Sequence, residues 1–260
     1  MAAHPGLRCF HPWAPLRYVS LPFFPVGRAD WKSGERMFIG HFGVGFGLKR
    51  MAPRVSLALL IASTVWADIL WTIFLLLGWE HARISIGNTR WTPLDLYDYP
   101  CSHSLLFMAL WATALAGAYR AYRSDWMGTL AIWIGVVSHW LLDWLTHRPD
   151  MPLYPNGPKH GLGLWNSIPG TLVVELILFF GGVWLYSRCT RPRDSIGRYG
   201  FWSYLAVLLV LYVGDRFSSP PQAIKSMAIS GLIATLVLIA WPWWFDRHRE
   251  SLSVRLTSQP

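Results

Sequence analysis

The sequence predicts an all-α integral membrane bundle of six full spans preceded by one short N-terminal half-span helix. Three observations carry that class. Charged residues make up only 14% of the 260 residues and hydrophobic ones 53%, whereas a soluble domain carries about 25% charged residues. Six apolar stretches approach the roughly 20 residues that a helix needs to cross a hydrocarbon core of about 30 Å. Threaded back and forth through those stretches, the chain keeps seventeen of its 23 Lys and Arg residues on one side, the asymmetry that orients membrane proteins.

Residues 1–36 hold five prolines and no continuous apolar run. They do not make a signal peptide and read as a poorly ordered arm, with Met37 as an alternative start. "MFIGHFGVGFGLKR", 37–50, is apolar and glycine-rich but too short to span upright, which suits a half-span packed against protein. The full spans follow at about 55–78, 101–119, 126–146, 169–187, 200–217 and 222–243. Trp79, Trp91, Trp126, Trp165, Trp202 and "WPWW" at 241–244 fall where interfacial aromatic belts belong.

The inward side collects eight Lys and Arg in residues 1–54, two in 120–125, four in 188–199 and three beyond 244; if the short segment enters from the opposite face and ends at Lys49-Arg50, the arm before it lies outside and the later loops keep their assignment. The outward side has Arg83, Arg90, Arg148, Lys159, Arg216 and Lys225. The net charge of +9 is therefore a signal of topology and of contact with anionic lipid headgroups. No soluble basic module exists to bind nucleic acid. Cys9, Cys101 and Cys189 are widely spaced and frame neither disulfides nor a zinc ribbon. The chain divides into the arm at 1–36, a membrane domain at 37–187, and a basic linker, two further spans and a basic tail at 188–260.

Against this apolar background stand ionisable groups at membrane depth. "SHWLLDWLTH" places His139, Asp143 and His147 four residues apart, on one helix face. Asp68 lies past the middle of the first span, His103 opens the second, Glu175 lies early in the fourth, and His41 sits in the short N-terminal segment. The threading brings the span residues to one level, the outer half of the bilayer. An aspartate at the bilayer centre costs about 2.5–3.5 kcal/mol, and a divalent cation compensates two at once. His with carboxylate is a ligand set for zinc, iron or manganese. The expected metal ligands are His41, Asp68, His103, His139 and Asp143, with zinc the expected ion. Asp143 or Glu175 is the expected proton acceptor, and Ser102 and Ser138, each before a His, are expected to support the ligands. His147, at the helix end, ranks as a supporting or loop residue. Lys159 and Arg148 could meet an anion, although solvated loop charges explain them as well.

Three function classes fit: a metal-dependent hydrolase acting on a lipid-linked ester or phosphoester among membrane lipids, a proton- or cation-coupled transporter, and a non-catalytic scaffold. Against transport, no inverted repeat or matching pair of broken spans is present. Against catalysis by known motifs, there is no HExxH, nucleophile elbow or P-loop.

Gly40-His41 opening a short helix, Asp68 in the next apolar segment, His103-Ser104 opening another, and "SHWLLDWLTHRPDMPLYP" from Ser138 to Pro155 together resemble the bacterial membrane-bound metal-dependent hydrolase family. The resemblance covers about residues 37–155 and is most specific around His139 and Asp143. It implies a multi-pass inner-membrane helical protein with metal ligands at His41, Asp68, His103, His139 and Asp143. Where that family often carries an Asp-x-Asp-His motif, this chain reads "WADILW" with the single carboxylate Asp68, which reduces the ligand count and weighs against two metals.

Overall fold

A computed structural model describes residues 39–215 and 217–252; the expected arm at 1–36 and Cys9 lie outside the described residues. The glycine-rich segment forms α1 (Ile39–Met51). At about 1.5 Å per residue its 13 residues cover about two thirds of a hydrocarbon core, as expected of a half-span. The first full span is α2 (Leu57–Thr64) and α3 (Trp66–Leu77), bent by 59° between them.

That bend departs from the unbroken helix expected over 55–78. Ser63 Oγ and Thr64 Oγ1 donate back to the carbonyls of Leu60 and Ile61 at 2.6 and 2.9 Å, a competition with the helical ladder that bends helices. Val65 follows at φ −111°, ψ 16°. The Thr64 carbonyl is left to bond elsewhere, and its partner is a site residue.

On the side that the charge pattern marks as outer, β1 (His81–Ile84) and β2 (Leu94–Asp98) pair as an antiparallel hairpin. The single-turn α4 (Pro100–His103) leads into α5 (Leu105–Tyr122). Ser104 separates them in an extended conformation while its Oγ accepts from Phe107 N–H, an N-cap that restarts the helix. α6 (Trp126–Thr146) is capped by Asp125. The short antiparallel pair β3 (Met151–Pro152) and β4 (Lys159–His160) precedes α7 (Ile168–Cys189). β5 (Thr190–Pro192), α8 (Ser195–Asp215), α9 (Ile224–Asp246) and β6 (Arg249–Ser251) complete the described chain, with β5 and β6 paired on the inner side.

α5 to α9 are each long and apolar enough to cross a membrane, and the α2–α3 pair, which passes the same test jointly, counts as a sixth if the bent pair is one broken span. The fold is the expected all-α bundle. Large apolar side chains such as Ile177, Phe180, Val210 and Ile233 lie exposed on it and contact lipid.

α1 is built into the centre of this bundle. Phe46 meets Phe179, Tyr186, Phe201 and Tyr204 edge-on. A Cβ on Gly182 would land on the Gly43 carbonyl, and one on Gly43 would land on the Leu178 carbonyl. Glycine lets α1 and α7 approach backbone to backbone, the usual device where lipid removes the hydrophobic drive for association. At the inner end, Lys49 donates to Asp246 at 2.7 Å and to the Val55 carbonyl at 2.8 Å. Asp246 also accepts from Leu57 N–H and Tyr186 O–H, which fixes the register of α1 along the membrane normal.

Candidate functional site

With its inner end anchored, α1 puts His41 in its first turn against α6. Asp68 lies in the first turn of α3, His103 ends α4, and His139 and Asp143 sit one turn apart on α6. The five expected ligands come together in the outer half of the bundle. His41 Nε2 lies 3.3 Å from Asp143 Oδ1. His139 Nε2 lies 3.1 Å from Asp143 Oδ2 and 3.6 Å from Asp68 Oδ1. His103 Nε2 is 3.6 Å from Asp143 Oδ2 and 3.8 Å from Asp68 Oδ1. Four of these five are buried, and the Asp68 side chain, 42% exposed, opens the cluster to its surroundings.

The ring orientations are imposed from outside. A carbonyl only accepts, so the 2.7 Å contact of His139 Nδ1 with Thr64 O puts the proton on Nδ1 and turns a bare Nε2 inward. The bend at Val65 thus orients His139. For His103 the support is a relay: Ser102 Oγ donates to Glu80 at 2.6 Å and accepts from His103 Nδ1 at 2.7 Å, while Ser102 N–H also donates to Glu80. This is the carboxylate support that metal-binding histidines commonly have. The His41 ring stacks on His139 at 4.0 Å and 5°. Burial pushes the Glu80 carboxyl up to about 7 despite the bonds from Ser102.

The separations indicate what the arrangement can hold. An N–H···O hydrogen bond spans about 2.7–3.2 Å, and four of the five distances exceed that range. Ligand atoms at about 2.0–2.1 Å from a tetrahedral zinc stand roughly 3.3 Å apart. Two overlapping trios could hold an ion, His41 with His139 and Asp143, and Asp68 with His103 and His139. Both draw on the same Nε2 of His139, so they describe one position rather than two.

Beside the cluster, His147 is buried, 3% exposed, not the loop residue its helix-end position suggests. Its Nε2 is 3.8 Å from Asp143, its Nδ1 faces Asp150 at 3.1 Å, and its ring lies 4.0 Å from that of Trp165. Tyr99 O–H donates to the same Asp150 oxygen at 3.0 Å. Burial would raise the Asp150 carboxyl, but His147, Arg148 and Tyr99 hold it below the usual range.

Glu175 is fully buried on α7, outside both trios and outside the lining of the adjacent cavity. Ser102 bonds the His103 ring and Glu80, whereas Ser138 donates to Gly135 O in its own helix. Arg148 binds Asp95, Asn88 and Asp150, and Lys159 donates to Tyr97 O; neither lines the cavity. Sequence reasoning misses Glu80, Tyr99 and Asp150. Helical spacing signalled none of them, since the chain leaves α6 at His147, φ −66° and ψ 151°.

The cluster forms one end of a cavity of about 530 Å³ that runs to α8 and α9, a size typical of small-molecule sites. A family model described as YdjM inner membrane protein matches residues 100–221. The chain is a multi-pass protein of the bacterial inner membrane. The match spans α4 to α8 and takes in His103, His139, Asp143 and His147; His41 and Asp68 precede it. Neither the curated proteins nor the solved structures include a match to the chain.

Proposed function

We propose that the cluster binds one divalent cation, zinc by ligand type, and that the protein hydrolyses a lipid-linked phosphoester at the outer half of the bilayer. The observation that carries this is the convergence of three Nε2 atoms on two carboxylates at 3.1–3.8 Å, with the other nitrogens of His103 and His139 occupied by outer partners. His41, His103, His139, Asp68 and Asp143 would hold the ion. A bound divalent cation supplies Lewis acidity and acidifies water.

The proton chemistry falls to His147. With Nδ1 turned to Asp150, its Nε2 can take the proton of the attacking water, and Asp150 with Tyr99 fixes the ring, the arrangement of a base held by a third group. As water oxygen bonds to phosphorus and the lipid C–O–P linkage breaks at phosphorus, the same Nε2 returns the proton to the departing alcohol. Asp143, drawn on by three histidines, is better suited as ligand than as base.

Phosphate release from a lipid phosphate monoester by full-length protein in detergent tests the reading. His147→Gln should lower the rate by about 10²–10⁴, the usual contribution of a general base, with bound metal unchanged. Asp143→Asn should abolish both. A metal-loaded wild type with no such activity, or a fully active His147→Gln, contradicts the proposal.

A further inference from the structure

We infer that the α8–α9 side of the cavity is a binding site for one hydrocarbon chain of a lipid phosphate, admitted sideways from the outer leaflet between those two helices. The inference rests on the reading of the cluster as a metal site and adds which molecule reaches it and by what route.

The cavity is two-ended. At one end are Asp68, His103 and Asp143; at the other are Val210 and Leu211 of α8 and Gly231, Ala234 and Leu238 of α9. Gly231 to Leu238 gives about 10 Å of wall at 1.5 Å per residue, with small side chains over its first turn. α8 runs outward and α9 inward, so the end of the first and the start of the second share the depth of the cluster. Val210 and Leu211 are 68% and 43% exposed, and Ala234 is exposed as well. These are span residues, so the solvent on that side is lipid. Among the described residues the wall is polar only at Thr235 and where Asp215 and Ser218 follow the exposed part of α8, and a largely apolar wall open to acyl chains with a polar end at the same depth fits an amphiphile better than a water-soluble ester.

The polar end also has donors to spare. Trp71 and Trp165 line the cavity, and each has a buried indole N–H with no acceptor among the described residues. A buried donor left without a partner costs about 1–3 kcal/mol. Phosphate oxygens, strong acceptors, would satisfy them. Trp71 stands edge-on to His103 and Trp165 against His147, so the headgroup they accept is the one the cluster would act on.

The test uses the full chain in phosphatidylcholine nanodiscs doped with a lysophosphatidic acid carrying a diazirine near the end of its acyl chain. After irradiation, labelled peptides are mapped and bound metal is measured on the same sample. Label should concentrate on the cavity-lining parts of α8 and α9. Ala234→Phe should cut it by about tenfold or more, the scale on which a pocket discriminates by fit. Ala240→Phe, on the exposed face of α9 but outside the cavity, should leave it unchanged and shows that α9 tolerates the bulk. Octyl phosphate should compete, and inorganic phosphate should not. Label spread evenly over the lipid-facing helices, or unaffected by Ala234→Phe, overturns the chain site. Concentrated label on a protein without metal upholds the chain site and overturns the metal reading, so the two fail separately.

Discussion

At the inner end of the bundle, Asp246 accepts hydrogen bonds from Lys49, Leu57 N–H and Tyr186 at 2.7, 3.0 and 2.7 Å. In the outer half, Asp143 faces the Nε2 atoms of His41, His103, His139 and His147 at 3.3, 3.6, 3.1 and 3.8 Å. Both carboxylates are buried to a similar degree. One has its donors at bonding distance and holds helices in place. The other is ringed by nitrogens, three of the four beyond bonding distance, and the rings of His103, His139 and His147 are held from outside by Ser102, the Thr64 carbonyl and Asp150. Buried polar groups normally sit at bonding distance from their partners, so a cluster held mostly beyond that distance has the spacing of groups that could share an ion. The contrast sets a structural polar network against the proposed binding site within a single chain.

The comparison can be broken first at the inner cluster. Asp246→Ala leaves Lys49 buried without its partner and should cost about 3–5 kcal/mol, measured by thermal or chemical denaturation in detergent. The double variant Lys49→Met with Asp246→Leu should recover the part of that loss due to the unpaired Lys49, because a buried pair replaced by apolar groups is often neutral, while Leu57 N–H and Tyr186 O–H still lack their acceptor. If both variants are equally destabilised, the inner cluster is more than a structural clamp.

A smaller effect links the two regions through α1. Gly182→Ala puts a methyl group into the Gly43 carbonyl and should cost about 1–3 kcal/mol as overpacking. It also displaces His41, so retained metal should fall together with stability. Lower stability with full metal retention would remove His41 from the ligand set.

The smallest effect is in the outer support. The Glu80 carboxyl is raised to about 7 from its ordinary 4.5, so its favourable contribution is complete below the unfolded value and is lost as pH rises through about 7. Wild-type thermal stability should therefore decline between about pH 5 and pH 8 through this group. Glu80→Gln should flatten that part of the profile. An unchanged slope would mean that the carboxyl is not buried against Ser102.

What the sequence revealed follows the same division. The spans and the five residues that cluster were legible, because a span is a long apolar run and an ionisable group inside one is costly wherever it falls and needs no partner to be noticed. The bend at Val65 was not, since Ser63, Thr64 and Val65 sit in a run as apolar as any other and the deciding hydroxyl bonds are local. Glu80 was hidden because a carboxylate in a polar loop is ordinary until a hairpin returns it to Ser102. The pairing of Lys49 with Asp246 joins residues 197 apart, beyond any periodicity. His147 looked solvated at a helix end, and the loop that buries it, carrying Asp150 and Trp165, lies beyond the helical pattern.

The central claim is that the outer cluster holds a metal ion, and elemental analysis of the full chain purified in detergent tests it most directly. The account predicts about one equivalent of zinc, iron or manganese per chain, lost in His139→Ala and retained in the Lys49→Met, Asp246→Leu double variant. Metal well below one equivalent in the wild type, or the same content in wild type and His139→Ala, would contradict it.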